Sequence, residues 1–271
     1  MEQEREQERQ TYQLCRLGFA ILSFALVVAC LSTALALPRH FGRPAFLPWL
    51  HQAGWWQWHD APIVWGSLVG TYLLWARWND PGWQRRTGLL VVMGTVDAVL
   101  WLIEHGPELG LRTDEVGHLW LRHNLGQALG WAEFALIASL SCEVMVHLGV
   151  TQAAETGKAT RSLAATGAVV WMLWFCQMTN WHTWPLEFRR FHTLESLLLD
   201  LGSTLIWTIT LIQSTALTIA ATKQCTRVLA EIDQDATEND LLRSASEQGG
   251  GYLNGVGQSW GEKKRPFDDD L

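Results

Sequence analysis

The residues best suited to chemistry in this sequence are four carboxylic acids within or at the edge of apolar runs: Asp97, Glu104, Glu133 and Asp200. An ionisable group inside such a run is costly in a bilayer and marks a functional site by default. Glu104 follows Asp97 by seven residues, two helical turns, so the two share a face with Trp101 between them. No Lys or Arg stands at matching depth to neutralise the acids. They must therefore be protonated, share protons, bind a cation or meet water. The plainer alternative is that each is protonated and hydrogen-bonds a neighbouring helix.

Histidine is the second chemical feature. Eight of the nine histidines (His40, His51, His59, His105, His118, His123, His182 and His192) fall in three segments between apolar runs, and only His147 lies elsewhere. Imidazole titrates near neutral pH and ligates metals, so His105, His123, His182 and His192, at the mouths of the runs, are the candidate metal ligands. A divalent metal is thus the cofactor to consider. Haem is less favoured, because no His pair sits well inside the runs. Against a metal, no HxxxH or HExxH spacing occurs, and the five cysteines show no CxxC, so they read as small hydrophobes or thiols. Glu143 and His147 stand four apart on one face; they read as a local ion pair or hydrogen bond, or in a sharper version as a proton-entry relay.

The elements that carry these residues are apolar blocks. A helix needs roughly 17–25 apolar residues to cross about 30 Å of hydrocarbon. Six windows meet that need: 17–37, 62–78, 87–103, 125–148, 162–181 and 194–221. The fold expected is all-α, a polytopic membrane helix bundle. Pro38 closes the first run, Asp60 is placed to cap the second ahead of Pro62, and Asn79-Asp80-Pro81-Gly82 reads as a turn. Gly66 with Gly70, and Gly126 with Gly130, are small-xxx-small pairs that permit close helix contact, and the second pair shares a face with Glu133. Along the sixth run, Asp200, Thr204, Thr208, Thr215, Thr218 and Thr222 form a polar stripe completed by Leu211. It reads as a packing seam more readily than as an ion path.

Orientation follows from the cations near the run ends. With the N-terminus cytoplasmic, that side holds Arg5, Arg9, Arg16, Arg77, Arg85, Arg86, Lys158, Arg161, Lys223 and Arg227. The other side holds Arg39, Arg43, Arg112, Arg122, Arg189 and Arg190. The bias favours cytoplasmic N- and C-termini, in a plasma or bacterial inner membrane. It also puts no cysteine in an exported loop, as expected if thiols are kept from an oxidising compartment. Ala34-Leu35-Ala36 resembles a signal-peptide cleavage site, but the run is long and the segment before it is rich in Glu. Tryptophans of the exported segments, among them Trp49, Trp55, Trp56, Trp58, Trp120 and Trp184, suit an interfacial aromatic belt.

Three parts result: a cytoplasmic segment 1–16, a membrane domain 17–222 and a polar tail 223–271. The tail is expected to be largely disordered beyond a short helix continuing the sixth run. A formal charge of −7 without a basic patch excludes a nucleic-acid partner, and Walker A, GxGxxG and GxSxG sequences are missing. The partners implied are the lipid bilayer and another membrane protein or a second copy. Two functions remain. In one, an outward-facing site of Asp97, Glu104, Glu133 and Asp200 binds protons or a cation for transport or metal-dependent membrane chemistry. In the other, the chain is a noncatalytic accessory subunit whose polar groups satisfy one another.

Overall fold

The structure, a computed structural model, describes the backbone of residues 2–40, 58, 60–75, 80–105, 117–180 and 186–248. Side-chain environments are described for 3–35, 58, 60–75, 80–105, 125–173, 198–199, 201–239 and 241. Six helices make up the described residues, with no strand among them: α1 Glu2–His40, α2 Ala61–Trp75, α3 Pro81–Glu104, α4 Gly117–His147, α5 Gln152–Asn180 and α6 Leu186–Gln248. The protein is all-α. Its described residues include four stretches long and apolar enough to cross a membrane, Gln3–Leu35, Pro81–Glu104, Leu125–His147 and Leu201–Asn239, and α2 is a shorter apolar helix. By this measure it is a membrane protein.

Local chemistry sets the helix ends. The Asp80-Pro81 pair does more than turn the chain: the Asp80 carboxylate accepts from the Trp83 backbone N–H at 2.6 Å, and Pro81 opens α3. Proline fits there because the first-turn N–H has no intrahelical acceptor. The Trp83 indole N–H then donates to the Leu74 carbonyl at 3.0 Å, tying the start of α3 to the end of α2. At α2, the Asp60 carbonyl accepts from Ile63 and Val64 N–H, as a capping position does. At the end of α4, Gly149 adopts φ 82° while its N–H bonds Val146 O, and Val150 N–H bonds Met145 O. This Schellman pair needs the left-handed residue that glycine supplies, and it reverses the chain directly into α5.

The helices outrun the expected apolar windows at several ends: α1 starts at Glu2, and α3, α4, α5 and α6 start at Pro81, Gly117, Gln152 and Leu186. α1 runs through Pro38 to His40. α6 continues to Gln248, far beyond the short extension expected, because residues 222–248 hold neither Gly nor Pro and are rich in helix formers up to Gly249. The chain divides into two compact units, Met1–Leu229 and Ala230–Leu271. Within the second, the described residues 230–239 are almost all exposed and helical.

In the first unit, α1 packs on α2, α2 on α3, α3 on α4 and α4 on α5. Association of membrane helices depends on close shape fit rather than on apolarity, and small residues provide it. A methyl group at Gly70 would stand 2.7 Å from Leu22 Cγ and 2.9 Å from the Gly18 carbonyl oxygen. Phe19, Leu22, Ala25 and Leu26 of α1 are buried, so the first helix is part of the core. α6 joins through the threonine seam: Leu211, Thr215 and Thr218 are buried, and Cys30 Sγ lies 3.5 Å from Thr215 Oγ1. The Thr208, Thr215, Thr218 and Thr222 hydroxyls donate to carbonyls of their own helix, those of Thr204, Leu211, Thr215 and Thr218. These four hydroxyls of the stripe are therefore satisfied from within.

Candidate functional site: an acid-lined cavity

Helical spacing alone places Gly126, Gly130 and Glu133 on one face of α4, and that face borders a cavity of about 530 Å³. Asp97 and Glu104 reach the same cavity from α3, as their two-turn spacing requires, and Asp60 reaches it from the start of α2. Ser32 and Thr33 of α1 complete the wall near the helix ends, and Trp207 of α6 closes another side. Its described lining includes four carboxylates and no Lys, Arg or His. The fourth predicted acid, Asp200, lies on α6, and its side chain falls outside the described residues.

The missing side chains of glycine shape this space. Asp97 comes over α4 at Gly126, where a methyl group would stand 3.6 Å from Asp97 Oδ1. One turn further, the six-membered ring of Trp207 lies against Gly130, so close that a methyl there would be 2.5 Å from it. The indole is held edge-on by Trp131 and Phe134, with ring centroids 4.9 and 4.7 Å away, a geometry that places positive ring edges against negative faces. Glu133 sits beside this aromatic group. It is part-buried, lines the cavity, and makes no hydrogen bond or salt bridge among the described residues.

At the end of α3, Glu104 meets His105. The His105 backbone N–H bonds Trp101 O, and its Nδ1 lies 3.1 Å from the same carbonyl. A carbonyl oxygen only accepts, so Nδ1 carries the proton. The ring stacks on Trp101 at 4.4 Å and faces Trp58 at 5.5 Å, and Nδ1 is 3.8 Å from Glu104 Oε2. His105 is therefore buried beside the cavity's acids, not free in a loop. The side chains of His123, His182 and His192 lie outside the described residues, and among the described residues no group of three or more His, Cys, Asp or Glu is arranged to hold a metal ion.

No known protein family, curated protein or solved structure matches the chain. The functional reading therefore rests on these residues alone.

The other candidate pair sits near the far end of α4. Arg86 Nη2 of α3 engages both carboxylate oxygens of Glu143, at 2.8 and 2.6 Å, and His147 is exposed. Sequence reasoning missed Arg86 as the partner, although its place at the cytoplasmic end of the third run was a usable signal. Asp60 was read only as a cap, and Trp207 was not singled out; nothing in their spacing joins them to Glu133. Trp101 and Trp131 are core residues, 4% and 2% exposed, whereas Trp58 at 37% suits an interface.

Proposed function

We propose that this protein crosses a plasma or bacterial inner membrane with six helices and cytoplasmic termini, and that its acid-lined cavity binds protons or a cation in the course of transport. The observation that carries this reading is Glu133, a part-buried carboxylate without a hydrogen-bond or salt-bridge partner among the described residues, opening on a cavity that three further acids also line. Removing an ion from water costs several kcal/mol even after relaxation. Such a group is kept neutral by a proton or by a cation that comes and goes. Asp97 facing the same cavity strengthens the requirement, since two like charges in one site resist joint ionisation. Asp60, Ser32 and Thr33 line it near the helix ends that the charge bias assigns to the outside, which supports reading it as outward-facing.

Infrared difference spectroscopy on protein reconstituted in lipid tests the core of this proposal. A protonated-carboxyl band should appear and vanish with pH, shift when sodium or potassium is exchanged for an impermeant buffer cation, and be absent in Glu133→Gln. An unchanged spectrum in that variant would assign the protein to the accessory, noncatalytic class. The topology has its own check: a cysteine introduced near His51 should react with an impermeant maleimide from outside, and one near Lys158 should not.

A further inference from the structure

We propose that the cavity's ligand is a small organic ammonium ion bearing apolar substituents, recognised jointly by the carboxylates of Glu133 and Asp97 and by the indole face of Trp207. This rests on the cavity being a cation site and names the class of cation. Three observations point the same way. First, size: about 530 Å³ falls within the range of roughly 300–1,000 Å³ occupied by small-molecule sites, whereas a dehydrated metal ion needs ligands drawn in to roughly 2.0–2.6 Å. No described group of three or more ligating side chains is so arranged.

Second, the wall is mixed. Aromatic rings of Trp207 and Phe134, together with Leu26, Val64 and Ile137, line the same space as the acids. A bare proton or alkali ion has no use for that apolar and aromatic surface, while an alkylammonium ion fills it with its carbons and directs its charge at the carboxylates. Third, the indole is built into place. Gly130 supplies the slot that lets the Trp207 ring reach α4 one turn from Glu133, and Trp131 and Phe134 fix its tilt. Cations over an indole face gain about 0.5–2 kcal/mol, the upper value when desolvated. Glu133, lining the cavity and lacking a hydrogen-bond or salt-bridge partner among the described residues, supplies the compensating charge.

Tetramethylammonium is the probe. Added to the full-length protein in lipid nanodiscs, it should raise the thermal unfolding midpoint saturably and give a calorimetric binding isotherm. Sodium and potassium at equal ionic strength should be weaker, and tert-butanol, of related shape but neutral, should give neither signal. Glu133→Gln removes the charge that faces the ammonium ion and should weaken binding at least about tenfold. Trp207→Leu should weaken it about two- to thirtyfold, from the cation–π range above, and Trp207→Phe, which keeps a ring in the slot, should fall between. If the leucine variant does not fold, the phenylalanine variant and Glu133→Gln carry the test. Tetramethylammonium binding no better than sodium, while the Glu133 infrared band still responds to protons or sodium, overturns the ligand class and leaves the cation site standing. Loss of both responses overturns both.

Discussion

Two glutamates ten residues apart on α4 show how one side chain acquires opposite roles. Glu143 is half-exposed and held by Arg86 at 2.6 Å. Glu133, also part-buried, lacks such a partner among the described residues and borders a cavity with Asp97, Glu104 and Asp60. In the first case charge is satisfied by protein and the pair ties α3 to α4. In the second the protein leaves the charge to be satisfied by something that can exchange. The contrast identifies Glu133, rather than Glu143 with His147, as the acid on which function should depend.

The sharpest way to break this contrast is to remove each carboxylate in turn. Glu133→Gln should abolish the pH- and cation-dependent infrared signal, while Glu143→Gln should leave it at wild-type amplitude; equal losses would dissolve the distinction. Next in size is the packing that shapes the cavity. Gly130→Leu forces the Trp207 ring off α4 and should cost about 1–3 kcal/mol, as overpacking does, read as a lowered unfolding midpoint in detergent. It should also disturb the Glu133 band, which a substitution on the lipid side such as Val92→Leu should not. Smaller still is the partner side of the comparison. Arg86→Gln should cost no more than about 1 kcal/mol, because the pair is part-exposed, and raising salt should shrink the difference between variant and wild type. Smallest is the seam: Thr208→Ala removes a hydroxyl bonded to its own helix and should change stability by only about 0.5 kcal/mol or less, read as a barely shifted unfolding midpoint.

How much of this was legible beforehand follows from what a helix does and does not encode. Run length indicated six apolar helices but not their ends, since α1 runs through Pro38, and the 3.6-residue turn put Asp97 with Glu104, and Gly126 and Gly130 with Glu133, on common faces before any tertiary contact was known. The threonine seam was likewise readable, since a Thr hydroxyl finds the carbonyl one turn back on its own helix. Which faces meet was not. Leu22 and Leu31 both lie on α1, Leu90 and Val92 on α3, Leu211 and Ile212 on α6; the first of each pair is at most 1% exposed and the second 55–60%. Between membrane helices, lipid is as apolar as a neighbouring leucine, so hydropathy cannot separate a packed face from a lipid-facing one. Shape decides instead. The glycine at 130 that admits Trp207, the reach of Arg86 to Glu143 and the approach of Asp60 to the cavity depend on fits between helices far apart in the chain. Tertiary structure alone brought Asp97, Glu104 and Glu133 to two walls of one cavity, added Asp60 from a third helix, and left Glu133, among the described acids of that cavity, without a salt bridge or hydrogen bond.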